Sequence, residues 1–238
     1  MIALVDSDII AYRIAFACKD ENINTAKHSL DSYVVDILVR GVDNTFPSCY
    51  VDDWKFYLTG KNNFRIDIAK TAVYKGNRVA PKPEHLAVLR QHLVKHWGAT
   101  VVEGQEADDA IAIHATLLAC ENNIVVSLDK DLDQIPGWHY NFVKNIGYHI
   151  TPQEATYKFY HQILTGDAAD NIIGLFKVGP VKANKILQEC EDELALYKAC
   201  VDAYDGDEER VLENAQLLWL RRYEGQTWEP PKELINGR

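Results

Sequence analysis

The sequence predicts an α/β fold: a parallel sheet flanked by helices over residues 1–150, a helical subdomain over 151–225, and a surface tail over 226–238. Three observations predict it. Short apolar strands alternate with helical stretches through the first half. No convincing strand follows residue 151. Acidic residues gather where strands end or helices begin, which is the rim on which parallel sheets bind ligands.

"IALVD" (2–6) reads as a short buried strand, and "DWKFYLTG" (53–60) as a second, ending at Gly60. "GATVVEG" (98–104) and "NIVVSLD" (123–129) complete the set. Helical stretches lie between them at roughly 28–40, at 83–97 after Pro81 and Pro83, and at 106–120. Asp6 ends the first strand and Asp129 the fourth, so both are expected on one rim. At 151–164, Thr151 is an N-cap candidate, Pro152 falls at the first helical position, and Glu154 completes a capping box. The tail carries two prolines and is expected to wrap the surface or fray.

A chain of 238 residues can bury a substantial core. Hydrophobic residues make up 47% and charged residues 25%, an ordinary globular balance. No apolar run approaches the roughly 20 residues that a membrane span needs, and "MIALVDSDII" carries no signal-peptide pattern. The five cysteines (Cys18, Cys49, Cys120, Cys190, Cys200) form no CxxC pair, which argues for free thiols in a reducing cytoplasm and against a zinc site. A formal net charge of −10 argues, taken alone, against nonspecific nucleic-acid binding. Acids gathered around cations would produce the same balance while leaving a basic binding face.

Four acidic groups raise that possibility. "VDSD" holds Asp6 and Asp8; "EADD" holds Glu106, Asp108 and Asp109; "SLDKDLD" holds Asp129, Asp131 and Asp133. "GDAADN" holds Asp167 and Asp170, three apart, which is one turn if helical. Each has a plainer reading: acids in a first helical turn favour the macrodipole, a strand-end DxD is turn chemistry, and acids on a helix are ordinarily solvated. Together they read otherwise. Crowded like charges repel unless something positive lies among them, and hard oxygen ligands suit Mg²⁺ or Mn²⁺. Two such ions clamp the attacking and leaving oxygens of a phosphodiester.

A basic counterpart follows. Lys70, Lys75, Arg78 and Lys82 cluster around Tyr74 and Gly76, a set suited to a phosphate and a stacked base, or simply a solvated loop. In "IIGLFKVGPVKANKIL" (172–187), Gly174 and Gly179 punctuate a turn before Lys182 and Lys185, in the manner of a helix–hairpin–helix that offers backbone N–H groups to phosphate. His92 and His96 stand four apart on an exposed-looking helix and read as surface residues, while Trp219 and Trp228 read as core or tail anchors.

Through "VDSD", "FRIDIAKTAVYKGNR", "EADDAIA", "SLDKDLDQI" and "GDAADNIIGLFKVGPVKA", in that order, the chain resembles the 5′-nuclease (flap endonuclease) family. That family includes bacteriophage 5′–3′ exonucleases and the nuclease domain of bacterial DNA polymerase I. The resemblance covers roughly residues 1–190. It implies a PIN-like core with a helix–three-turn–helix, and two-metal hydrolysis (Mg²⁺ or Mn²⁺) of DNA near 5′ ends, flaps or nicks, with an RNA–DNA hybrid as a further substrate. Asp6, Glu106, Asp108, Asp109, Asp129, Asp131, Asp167 and Asp170 match metal-site carboxylates, with Asp129 and Asp131 central to catalysis. Lys75 and Arg78 match residues set against the scissile phosphate, and Tyr74 a base-stacking position. Lys82, Lys177, Val178, Gly179 and Lys182 complete the expected DNA contacts, with a monovalent cation such as K⁺ at the Val178–Gly179 turn. A cytoplasmic monomer is expected, within the host if encoded by a bacteriophage.

The chain departs from the family pattern in three places. Thr59 and Gly60 stand where many members carry an acid; Ile173 and Lys177 stand where proline and glycine are usual; and the 79–105 segment has room for one helix, which implies a reduced or open arch. The rival readings are a PIN-type ribonuclease, an aspartyl-phosphate phosphatase and a non-catalytic DNA-binding module.

Overall fold

A computed structural model describes residues 1–48, 50–118 and 120–232. The chain divides into two compact units. The first comprises residues 1–63, 80–151 and 222–224; the second comprises 64–79, 152–221 and the segment from 225 onward. Residues 64–79, grouped by sequence with the first half, therefore cluster with the helical unit.

In the first unit, β1 (Ile2–Asp6) runs directly into α1 (Ser7–Ala17), a helix the sequence reading passes over. Next, α2 (Ile23–Tyr33) begins at an N-cap, Asn22, whose side chain accepts from the backbone N–H groups of Asn24 and Thr25, both at 3.0 Å. It passes through a π-helical turn, Val34–Val39, into α3 (Arg40–Thr45). The expected helix at 28–40 is thus the middle of a longer helical run. β2 (Asp53–Thr59) follows, and after the short α4 (Arg65–Ile68) of the second unit come α5 (Leu86–Trp97) and β3 (Thr100–Val102). One helix, α5, occupies the 79–105 segment.

α6 (Ala107–Leu118) leads to β4 (Asn123–Val126), shorter than the expected 123–129 because a 3₁₀ turn begins at Lys130 with Asp129 as its N-cap. β5 (Gly137–Asn141) and β6 (Ile146–Ile150) form a hairpin the sequence reading did not anticipate. The sheet order is β3-β2-β1-β4-β5-β6, parallel throughout except for β6, which runs antiparallel to β5. β1 therefore lies centrally, between β2 and β4. Ala3, Val5, Ile10, Leu30, Leu89, Ile124 and Val126 build the core on one face.

In the second unit, α7 (Pro152–Thr165) starts at the expected proline. The acids at 167 and 170 are not helical, as their spacing suggested. They sit on a small ribbon of β7 (Gly166–Asp167) and β8 (Ile172–Ile173), paired antiparallel. α8 (Pro180–Leu187), α9 (Glu193–Ala203) and α10 (Glu208–Leu218) follow. Phe159, Tyr160, Ile163, Leu187, Cys200, Val211 and Trp228 form its core. Trp228 is buried, its ring 5.6 Å from Phe159, so the tail is anchored at that point. Tail residues 233–238 and Cys49 lie outside the described residues. Cys18, Cys190 and Cys200 are free thiols. No helix among the described residues is long and apolar enough to cross a membrane.

The hairpin depends on two glycines. Gly166 has φ +68°, and a Cβ at Gly174 would lie 2.3 Å from the Thr165 carbonyl carbon. Lys177 takes φ +60°, a left-handed conformation in which the residue's Cβ is strained. Two substitutions should therefore act in opposite directions. Gly174→Ala should cost roughly 2–3 kcal/mol, and Lys177→Gly should gain about 0.5–1 kcal/mol by relieving the left-handed strain. Thermal denaturation of both variants checks the pair of signs.

Candidate functional site

Parallel pairing of β1 with β4 sets Val5 opposite Val126, so the next residues, Asp6 and Ser127, fall side by side. The Asp6 side chain is only 3% exposed, and its Oδ2 accepts a hydrogen bond from Ser127 Oγ at 3.0 Å. Ser127 Oγ in turn accepts from the Asp129 N–H at 3.0 Å, and Asp129 Oδ1 accepts from the Asp131 N–H at 2.9 Å. A hydrogen-bonded chain thus links the first acidic motif to the third across the end of the central strands. Ser127, unremarkable in the sequence, is its joint. The signal available was the parallel between "LVDS" and "VVSLD", two apolar strands that turn polar at the same depth.

Burial raises the Asp6 pKa to about 7. The hydrogen bond from Ser127 opposes this rise, and the negative charges of Asp129 and Glu106 add to it. Glu106 is buried, and its Oε1 accepts from Asn63 Nδ2 at 2.7 Å. Asp108, in the first turn of α6, is half-buried.

Asp109 faces inward. It is fully buried, and its Oδ2 accepts from the Glu106 N–H at 3.1 Å, an internal cap for α6. Its charge acts on Arg222, whose pKa burial pulls down to about 10. Arg222 also donates to the Gln134 carbonyl at 2.7 Å. Asp8 pairs with Arg90, which also donates to the Thr59 carbonyl, and Asp8 Oδ2 accepts from the Thr59 N–H at 2.8 Å. Thr59 Oγ1, close to the position of the expected missing acid, accepts from the Ala107 N–H at 3.0 Å and secures the start of α6. Asp133 accepts from the Tyr148 hydroxyl at 2.9 Å. The acids of this unit therefore divide. Asp8 and Asp109 hold backbone N–H groups and Asp133 holds a tyrosine hydroxyl, whereas the charges of Glu106 and Asp129 act against Asp6.

In the second unit, Asp170 gathers the basic motif. Its carboxylate accepts from the Tyr74 hydroxyl at 2.7 Å and pairs with Arg78, while Lys75 Nζ lies 3.5 Å away. The Lys75 N–H donates to the Asp170 carbonyl at 2.8 Å, and Asn77 Nδ2 to the Ala168 carbonyl at 2.6 Å. Tyr74 is 8% exposed and belongs to the core of this unit, with Lys75 Nζ 5.1 Å from its ring centroid. Asp167 Oδ1 accepts from the Ala169 N–H at 2.7 Å, closing the turn between β7 and β8. Lys82 is exposed in the first unit, and Lys177, Gly179 and Lys182 are exposed around the start of α8, with Val178 half-buried. Gly179 is the N-cap of α8 and Pro180 its first residue.

The oxygen-rich donors fit hard divalent cations. Among the described residues no group of three or more His, Cys, Asp or Glu side chains is gathered so that it could hold a metal ion. The fit rests on the buried Asp6 carboxyl and the negative charges acting on it.

In structure, the chain is similar to a bacteriophage T5 protein co-crystallised with metal ions (TM-score 0.66, 17% identity, 91% of this chain and 88% of that one). It is likewise similar to the T5 5′-exonuclease with bound zinc (TM-score 0.65, 18% identity, 92% and 88%). The fold is that of the T5 5′-exonuclease. A T5 flap endonuclease in complex with DNA and metal ions also matches (TM-score 0.64, 16% identity, 91% and 88%). In sequence, the chain is 32% identical over 165 residues to DNA polymerase I of Thermus aquaticus, covering 61% of this chain and 20% of that protein. DNA polymerase I of Rhizobium leguminosarum is 32% identical over 168 residues, 63% of this chain and 16% of that protein. The chain thus spans about a fifth of the length of these curated relatives. No family model matches it. Together these likenesses support the 5′-nuclease family.

The buried carboxyl gives a pH signature. A folded-state pKa of about 7 against 3.8 unfolded means the metal-free protein loses stability as pH rises through that window, then levels off. Asp6→Asn should flatten that slope and raise stability at pH 8 in EDTA by on the order of 2 kcal/mol. Thermal melts across pH, wild type against variant, decide it; parallel curves would sink the assignment.

Proposed function

We propose that this chain is a divalent-metal-dependent 5′ nuclease that hydrolyses phosphodiesters near 5′ ends, flaps or nicks of DNA in replication or repair. The observation that carries the reading is the Asp6–Ser127–Asp129–Asp131 chain at the ends of β1 and β4, with Glu106 adding to its charge, on a T5 5′-exonuclease fold. The T5 relatives co-crystallised with metal ions and with DNA support the same chemistry here.

Asp6, Glu106, Asp108, Asp129 and Asp131 would hold Mg²⁺ or Mn²⁺, with Asp109 supporting Glu106 from behind; Asp167 and Asp170 are further carboxylates that match the family's metal-site pattern. Bound metal supplies Lewis acidity and an activated water. The chain's own residues do the rest. Lys75 and Arg78 bind the scissile phosphate by exchanging their contacts with Asp170 for its oxygens, and they offset charge that develops in the transition state. Tyr74, held by Asp170, orients Lys75 from beneath. Duplex backbone docks at Val178, Gly179 and Lys182, a turn that would hold K⁺, which would supply positive charge for the phosphate. Recognition is by shape and phosphate, so affinity falls as salt rises. An RNA–DNA hybrid is a further substrate of the same geometry.

A gel assay on 5′-labelled duplex and flap DNA with Mg²⁺, Mn²⁺ or EDTA tests this. Metal-dependent 5′ cleavage, lost by at least about a hundredfold in Asp129→Ala/Asp131→Ala, is the expected result. Wild-type protein that binds DNA yet cuts none with any metal would overturn it in favour of a binding module.

A further inference from the structure

The turn between β8 and α8 presents an aromatic ring to solvent. Phe176 is 81% exposed, the most of any phenylalanine among the described residues, with Phe16 next at 57%. Its neighbours are tied down: Leu175 N–H donates to the Leu164 carbonyl at 2.8 Å, Val178 N–H donates to the Leu175 carbonyl at 3.0 Å, and both side chains pack on the core of the second unit. Between these two anchors the chain takes the left-handed step at Lys177 and leaves Phe176 and Lys177 projecting together. Lys177 Nζ lies 5.0 Å from the Phe176 ring centroid. On either side stand Ile173, exposed, and Val181, 71% exposed in the first turn of α8. Lys182 and Lys185 follow on the same helix.

Apolar groups so exposed, on a turn and a helix that carry three lysines, are neither core nor an ordinary solvated face. Their occupant must offer apolar surface bordered by negative charge. The minor groove of duplex DNA does so: sugar and base edges line a groove about 6 Å wide, bordered by two phosphate rows and wide enough for one ring. Resting on the nuclease reading above, we propose that Phe176 is an apolar wedge that enters the minor groove of the duplex docked on α8, with Lys177 on the adjoining phosphate. Wedges of this kind part a base step and bend the duplex. The ring thereby adds a non-ionic contribution, and a bend, to a surface otherwise built on phosphate contacts.

The test is fluorescence anisotropy of a labelled 5′-flap duplex in EDTA, across a KCl series, with wild type, Phe176→Ala, Phe176→Leu, Phe176→Lys and Lys177→Ala. Phe176→Ala should weaken binding about tenfold without altering the dependence of affinity on salt, because the lost contact carries no charge. Phe176→Leu should recover most of the loss, and Lys177→Ala should lower the salt slope by about one. 2-Aminopurine placed through the duplex should brighten at one step with wild type and stay dark with Phe176→Ala. Wild type that binds while Phe176→Ala binds equally, or a Phe176→Lys variant that binds more tightly than wild type, overturns the wedge and leaves the nuclease reading standing. Wild type that binds no duplex, but is retained by vesicles or a protein partner through Phe176, overturns both.

Discussion

Asp6 is a carboxyl group placed where ionisation is expensive. Burial at the end of the central strand and the negative charges of Asp129 and Glu106 oppose its charge; the Ser127 hydroxyl and the Ile9 backbone N–H favour it. Much of the first unit follows from keeping that group in place. The parallel register of β1 and β4 delivers Ser127 to it. The 3₁₀ turn after β4 is capped by Asp129, and the start of α6 is secured by Thr59 and Asp109. Nearby cations are spent on other acids: Arg90 on Asp8, and Arg222 within the field of Asp109. A fold built for stability alone would have placed an apolar residue at position 6.

The second unit holds its basic motif by a different device. Segment 64–79 has one short helix of its own, so α10 and its flanks supply its hydrogen bonds. Glu213 accepts from the N–H groups of Lys70 and Thr71 and from the Thr71 hydroxyl, each at 2.7 Å. Burial works against the Glu213 carboxylate, yet these donors and Arg210 hold its pKa below the ordinary value. Arg65, buried, donates to the carbonyls of Leu217 and Trp219 at the end of α10. Tyr74, Lys75 and Arg78 then close on Asp170.

Much of this was legible in the residues. The alternation of strands and helices announced the parallel sheet, and strand-end acids announced the rim, because both depend on local pattern. The β5–β6 hairpin was missed: its residues mix aromatic, histidine and glycine without a clean alternation. The ribbon carrying Asp167 and Asp170 was read as helix because three-residue spacing is common to a helical turn and to a four-residue turn between strands. Ser127, Asn63, Arg90 and Arg222 escaped because their roles arise from partners distant in sequence. The motif acids could be found from sequence, but which of them carry burial strain and which brace the backbone could not.

The two units are interlaced along the chain, which passes from one to the other at 63/64, 79/80, 151/152, 221/222 and 224/225. No single cut separates them. A fragment ending at residue 151 would carry the Tyr74–Arg78 segment without Asp170 or Glu213, leaving backbone donors and a buried ring with nothing to meet. During synthesis the basic motif must therefore wait for about 140 further residues to emerge before its partner Glu213 exists. Loop closure over that span sets the order of events: the sheet of the first unit can form while the motif is still unstructured, and Tyr74, Lys75 and Arg78 are among the last parts of the molecule to acquire their shape.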